Sequence, residues 1–478
     1  MRNLARFDPR GVFPALVTPF RPKTEELDEA AYRALIRRVL PHVDGLVTSG
    51  TTGEFPYLTR PEKRRLVEIA REEGQGKLVI AGAGASSTRE AVLLARDAQE
   101  AGATAVLVVT PYFLHPSDKG VYQHFYELAR AVDLPLILYN IPQVMDQVLP
   151  RSVVEDLADL DNVVAMKDSS GDLPYTMEIL EYCGDRIDLL IGHDEVVLSA
   201  LAGGCAGMIL ASAQVYPDVW QRVLGLVRDG KLEEARALQR QVQKLSRIFC
   251  RYGGGVAVKA ALTMMGLEVG PPRRPLKGMG GALIHETRAE IRLELEKLGR
   301  IPVEEPAFDW PAGPLEGRFA VLEVTPEMVG RYRFRLGSGV AGEELNRVQL
   351  DLIGGGKDTP LGDAYALQLT YPQHGREALT TILEPGLTVR PATLLLPTLE
   401  QKDLRQANMI YGPTQSGLAQ AIVEALEAGT IPQAAMEDEV MIVLATVHPR
   451  ALDRHALFLS VRQAARAAIS QAFSKEVD

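Results

Sequence analysis

Between Gly11 and about Ala213 the chain alternates between two kinds of segment. Short apolar runs recur eight times: VFPALV, GLVTSG, KLVIAGAG, AVLVVTPY, PLILYN, VVAMKD, LLIGHD and GMILAS. They lack the every-other-residue alternation of a half-solvated strand and read as parallel strands buried on both faces. The stretches between them have apolar positions at helical spacing, as in AYRALIRRVL and REAVLLARDAQEAG, the latter closing on Gly102 as a C-terminal cap. Eight strand–helix units predict a (β/α)8 TIM barrel. The alternative, a doubly wound open sheet, calls for a glycine-rich phosphate loop after the first strand, where LVTPFRPKTEE stands instead.

Helical segments continue through WQRVLGLVRDG, KLEEARALQRQVQKL and AALTMMGL to ETRAEIRLELEKLG. The pattern then breaks at RIPVEEPAFDWPAGPLEG, where Pro302, Pro306, Pro311 and Pro314 stand among acidic residues, a stiff boundary segment. The domains expected are therefore a barrel with C-terminal helices over 1–300, a linker over 301–316, and a second domain over 317–478. In the last, VQLDLIGG, LTTILEPG, PATLLLPTL and EVMIVLATVHP read as strands. The final helical segment sets Leu457, Val461, Ala464, Ala468 and Ala472 on one face. This half reads as α+β, with no repeat of the first.

Composition narrows the function classes. The 478 residues are 46% hydrophobic and 24% charged, ordinary globular usage. A net charge of −10 argues against a nucleic-acid partner. No apolar run approaches the roughly 20 residues of a membrane helix, and the N-terminus lacks an apolar leader core, so a cytoplasmic protein is expected. Cys183, Cys205 and Cys250 show no CxxC spacing. His115, His124 and His193 lack helical ligand spacing, and Ala289 stands where an HExxH motif beginning at His285-Glu286 requires histidine, so no metal is expected.

Residues just past barrel strands converge on one rim, where such folds place active sites. Here these are Thr51-Thr52-Gly53-Glu54, Tyr139-Asn140 and Lys167-Asp168-Ser169-Ser170-Gly171. A lysine in an apolar mouth can serve as an amine nucleophile toward a carbonyl carbon. A tyrosine on the neighbouring strand can relay protons, and the Thr-Thr-Gly turn suits a carboxylate. Gly82 to Ser87 reads as a strand-to-helix turn rather than a phosphate loop.

Taken in order, FPALVTPF, GTTGEF, TPYF, YNIP, KDSSG and GHDE resemble the dihydrodipicolinate synthase/N-acetylneuraminate lyase family over the first 300 residues or so. The resemblance implies a Schiff base at Lys167, acid–base work by Tyr139, carboxylate binding by Thr51, Thr52 and Gly53, and a backbone contact from Ile209. Gly192, Asp194 and Glu195 match a segment that binds hydroxyls of the distal substrate chain. Two positions depart from the synthase: Val144 replaces the arginine after YNVP, and Phe113 replaces a tyrosine of the proton relay. A short or polyhydroxylated aldehyde therefore fits better than an amino-acid aldehyde. The activity implied is a lyase or aldolase acting on a pyruvate-type 2-oxo acid and an aldehyde, or alternatively dehydration of a 2-keto-3-deoxy sugar acid.

In the second half, Asp351, Glu384, Gln415 and His448 stand near apparent element ends without forming a self-evident triad. Gly354-Gly355-Gly356-Lys357 lacks the Ser or Thr of a Walker loop and reads as a flexible turn. Gly412-Pro413-Thr414-Gln415 reads as a helix start or interruption. The succession VQLDLIGG, LEPGLTVRPATLLLP, QANMIYGPTQSGLAQAI and IPQAAMEDEVMIVLATVHP resembles formaldehyde-activating enzyme. That implies the α+β fold of the second domain of ribosomal protein S5 and a tetrahydromethanopterin-type pterin as ligand. Gln349 stands at the family's general-acid histidine and Thr398 at an expected lysine, whereas Asp351 and Gln415 match polar site residues. A third alternative follows, a catalytically degenerate protein that binds one-carbon units or pterin. Both resemblances imply homo-oligomers: dimers or tetramers for the barrel, rings for the second domain.

Overall fold

The computed structural model describes residues 8–276, 285–303, 318–319, 322–370, 377–401 and 404–474. The chain divides into two compact units, Met1–Val303 and Glu304–Asp478. The expected linker lies, from residue 304 on, outside the described residues.

In the first unit, β1 (Val12–Pro14), β2 (Gly45–Thr48), β3 (Leu78–Gly82), β4 (Ala105–Val109), β5 (Leu136–Asn140), β6 (Val163–Asp168), β7 (Asp188–Ile191) and β8 (Gly207–Leu210) form one parallel sheet. β1 pairs with β8, and a parallel bridge between Ala15 and Val47 closes the ring. Phe13, Val47, Ile80, Leu107, Ile137 and Ala165 fill the interior, while the opposite strand faces and the surrounding helices share a larger core. Both strand faces are thus buried, the physical reason for the unbroken apolar runs. The turn after β3 is stapled to the next helix, Thr88–Glu100, by the Ser87 hydroxyl, which accepts from Glu90 N–H. Gly102, at φ 87°, follows that helix in the left-handed region.

The second unit has a five-stranded sheet. A hairpin of β9 (Arg318–Phe319) and β10 (Leu322–Glu323) precedes β11 (Arg335–Ala341) and β12 (Val348–Gly356). β13 (Leu379–Thr380), β16 (Ala392–Pro397) and β17 (Glu439–Val447) complete the sheet, in the order β11-β12-β17-β16-β13, and β14 (Ile382–Glu384) and β15 (Leu387–Thr388) lie outside it. The helices Gln415–Glu427 and Arg454–Ser474 cover one face, and the buried stripe Leu457, Val461, Ala464, Ala468 and Ala472 is the one expected.

Three local expectations are corrected. LTTILEPG is not one strand: β13 joins the main sheet, while β14 and β15 form a separate ribbon. Gly354–Gly356 extend β12 instead of forming a flexible turn, because bare backbone admits the Phe334 ring, whose nearest atom would stand 2.7 Å from a Cβ on Gly355. The edge strand β11 went unread since Gly337 and Gly339 weaken the strand signal. Their glycines let the alanine-rich helix close in, for a Cβ on either would fall 1.9 Å from a carbonyl oxygen of Ala468 or Ala464.

Candidate active site

Lys167 occupies the penultimate position of β6, two residues above the inward-facing Ala165, and is 5% exposed. Period-two alternation therefore aims it into the barrel mouth. β5 pairs with β6 so that Tyr139 lies directly beside Lys167. The amine Nζ stands 4.1 Å from the centre of the Tyr139 ring, and the Tyr139 hydroxyl is 3.3 Å from Thr51 Oγ1. Lysine, tyrosine and threonine from three strand ends are thus in one chain of contacts.

Thr51 belongs to a tight turn bracketed by two left-handed residues, Ser49 at φ 51° and Glu54 at φ 61°. Gly53 N donates to Gly50 O at 3.0 Å, and Gly53 O accepts from the Thr18 hydroxyl at 2.7 Å. Thr52 faces the segment after the helix Leu232–Arg251: its Oγ1 would lie 3.2 Å from a Cβ on Gly254. A small cleft opens between Ser49, Thr51, Phe55, Gly84, Val109 and Tyr139. Ile209 sits inside the barrel on β8, opposite Phe13.

Asp168, next to the lysine, has another use. Its carboxylate accepts from Asn140 Nδ2 (2.9 Å), Ser170 N (3.0 Å) and Thr176 Oγ1 (2.7 Å), so it anchors the loop beyond β6. Gly192 N donates to Asp168 O at 2.7 Å. A Cβ on Gly192 would fall 2.6 Å from Lys167 Cε and 2.1 Å from Ser169 Oγ, so only glycine leaves the lysine its place. Asp194 is buried, and burial raises its carboxyl above the ordinary range against hydrogen bonding from Ser212. Glu195 pairs with Arg247 at 2.8 Å.

The model of the dihydrodipicolinate synthetase family matches residues 8–293. The chain belongs to that family. It is 38% identical over 299 residues to 4-hydroxy-tetrahydrodipicolinate synthase of Methanopyrus kandleri, covering 62% of this chain and 98% of the relative. The same enzyme of Nitratidesulfovibrio vulgaris is 38% identical over 274 residues, 56% of this chain and 93% of its own. Among solved structures, dihydrodipicolinate synthase from Aquifex aeolicus superposes with a TM-score of 0.58 at 32% identity, covering 62% of this chain and all of that one. The synthase of Acinetobacter baumannii complexed with pyruvate gives 0.58 at 31% identity, covering 61% of this chain and 99% of that one. The model of the formaldehyde-activating enzyme (Fae) matches residues 336–478, so a synthetase-family barrel is fused to a Fae domain.

Within the synthetase-family barrel, the two departing positions lie on the surface. Phe113, at φ 76°, is 89% exposed. Val144 is 56% exposed. His124 is a core residue: its Nδ1 is 3.0 Å from Thr88 Oγ1, and burial lowers its imidazole to about 4.

In the Fae domain Gln349 and Asp351 alternate along β12 and share a hydrogen bond of 3.1 Å, while the Ser338 hydroxyl donates to the other Asp351 oxygen at 2.6 Å. Burial raises the Asp351 carboxyl against these two donors. Thr398 meets Thr446 at 2.8 Å, and Thr446 stands beside Gln349 across the strands. Gln415 begins its helix after a wide turn containing Pro413, and its amide donates to Ile382 O. Glu384 is exposed. A pocket is lined by Leu399, Gln401, Met409, Val447 and His448 among others, and Gln349 and Asp351 do not line it. The strand signal placed Gln349 and Asp351, whereas His448 carried no local spacing that tied it to Gln401.

Proposed function

We propose that the barrel is a lysine Schiff-base lyase acting on a pyruvate-type 2-oxo acid. The observation that carries this reading is the contact chain from Lys167 through Tyr139 to Thr51 at the mouth of a barrel whose relatives include a pyruvate complex. The neutral Lys167 amine adds to the C2 carbonyl, and loss of water from the carbinolamine leaves an iminium. Removal of a C3 proton gives an enamine, which adds to an aldehyde carbon while the aldehyde oxygen takes up a proton. Water then releases the 4-hydroxy-2-oxo acid and restores the lysine. Tyr139, backed by Thr51, moves the protons, and the Thr51–Gly53 turn holds the carboxylate. We assign Gly192, Asp194 and Glu195 to the rest of the substrate chain and Ile209 to a backbone contact with the intermediate.

Val144 offers no charge for a second carboxylate, which favours an uncharged aldehyde such as formaldehyde over an amino-acid aldehyde. The Fae domain supports that choice, and we assign it binding of one-carbon units or a tetrahydromethanopterin-type pterin. Gln349 has no titratable proton, so a general-acid role there is not proposed. Exposed Phe113, Leu114 and Val144, on loops that follow adjacent strands, suit a face covered by a second copy in a homo-oligomer.

The test is trapping. Pyruvate with borohydride is expected to leave a reduced adduct on the Lys167 peptide, absent from Lys167→Ala. With 13C-formaldehyde added, labelled 4-hydroxy-2-oxobutanoate is the expected product. An adduct without that product, together with consumption of a 2-keto-3-deoxy sugar acid, would shift the assignment to a dehydratase. No adduct in the folded protein would sink the pyruvate reading.

A further inference from the structure

The fold gathers donors that the chain keeps far apart. His193 follows β7, Asp194 and Glu195 form the turn after it, and Cys250 comes from the last turn of the helix Leu232–Arg251. Cys250 Sγ lies 4.0 Å from His193 Nδ1 and 3.9 Å from Asp194 Oδ2. Donor atoms of His193, Glu195 and Cys250 all lie within 4.8 Å of one another, each residue half-buried. Asp194 is 3% exposed, and its Oδ1 has no hydrogen-bond partner among the described residues.

The surroundings fix the cluster. Gln239 Nε2 donates to Glu195 O at 2.9 Å and Gln243 Nε2 to the same oxygen at 3.3 Å, so the helix that carries Cys250 also clamps the turn. Arg247 holds one Glu195 oxygen at 2.8 Å, Oε2. The His193 ring is packed on Gly171, where a Cβ would stand 2.9 Å from it.

We propose that His193, Glu195 and Cys250 form a site for a divalent cation of zinc type, with Asp194 beside it as a further oxygen donor. Imidazole, thiolate and carboxylate are the zinc donor set, and three protein donors with one open position are the arrangement of reactive rather than structural sites. Tetrahedral bonds of about 2.0 to 2.3 Å set donor–donor edges near 3.5 Å. The His193–Cys250 and Cys250–Asp194 edges need to close by about half an ångström, and no edge among the three donors needs to close by more than about 1.3 Å. The cation would neutralise a buried carboxylate and hold the thiol as thiolate. Gly192 lies between this cluster and Lys167, and a cation with an open position there would be available for Lewis-acid polarisation of a substrate oxygen. Only this last consequence rests on the Schiff-base reading; binding of the ion does not.

The experiment uses full-length protein stripped with chelator and titrated with Co2+. A thiolate-to-cobalt charge-transfer band at one equivalent is expected, bleached by Zn2+. Cys250→Ser is expected to lose the band, and Glu195→Gln to keep it with affinity weakened about tenfold or more, in line with loss of a metal-supporting group. Lys167→Ala, which removes the trapped adduct, is expected to leave the band intact, so failure of the Schiff-base reading and failure of the metal site give different results. No band in the parent protein, or a band unchanged in both Cys250→Ser and Cys250→Ala, overturns the proposal.

Discussion

Removing one charge from beneath the Thr51–Gly53 turn is expected to cost more than removing both. Glu54 and Lys259 form an ion pair, Nζ to Oε1 2.6 Å, with each side chain 2% exposed. The second Glu54 oxygen accepts from Arg273 N at 2.8 Å, while Lys259 also donates to Pro271 O at 3.2 Å and sits 4.5 Å over the Phe20 ring. Lys259→Met keeps the length and the packing but strands a carboxylate in the core. Breaking a buried pair in this way costs about 3 to 5 kcal/mol, whereas replacing both partners is close to neutral. Trp220, fully buried in the barrel, reports unfolding in urea once Trp310 is changed to Phe. With a slope of about 3 kcal/mol per molar, Lys259→Met should lower the midpoint by about 1 to 1.7 M, and Glu54→Gln/Lys259→Met should recover most of it. A single variant that unfolds with its parent, or a double variant no more stable than the single, refutes the reasoning.

The same pair gives a signed pH dependence. Burial lowers the Lys259 amine from its ordinary 10.5 to about 8, outweighing the attraction of Glu54. Between those values the unfolded chain holds a proton that the folded chain does not, so this group's contribution to stability rises with pH. It is fully present above 10.5 and lost as pH falls through about 8. Lys259→Met should remove that slope from a plot of midpoint against pH.

Two further substitutions probe close approach. Gly192→Ala places a Cβ 2.6 Å from Lys167 Cε, and a displacement of about 1 Å should slow adduct trapping about 100-fold with the circular dichroism unchanged; an unaltered rate would show that the lysine is not held there. Gly337→Ala drives a Cβ to 1.9 Å from Ala468 O, so the Fae domain should lose about 1 to 3 kcal/mol, read as faster hydrogen exchange over 454–474 with barrel peptides unaffected.

The barrel was legible in the sequence because burial on both strand faces leaves unbroken apolar runs, and because residues ending those runs must share one rim. Lys167, Tyr139 and Thr51 could be named on that ground and by resemblance, and the structure brings the three into contact. Contacts between residues distant in the chain left no such trace. Cys250 reaches His193 across 57 positions, and Lys259 reaches Glu54 across 205, with no periodicity connecting either pair. In the Fae domain, Gly337, Gly339 and Gly354–Gly356 hid strand structure, since glycine signals turns locally yet here serves tight packing.

The two units treat their buried acids differently, and that difference bears on what each can do. In the barrel, Asp168 is held by Asn140, Ser170 and Thr176, which fixes the loop beside Lys167, while Tyr139 lines the cleft. In the Fae domain, Ser338 and Gln349 both donate to the buried Asp351, and Gln349 can neither give up nor accept a titrating proton. A carboxyl raised by burial and closed in by neutral donors can position a polar ligand by exchanging one of those hydrogen bonds, but it lacks a partner acid for condensation. Under the function proposed above, proton transfer is therefore assigned to the barrel and not to β12.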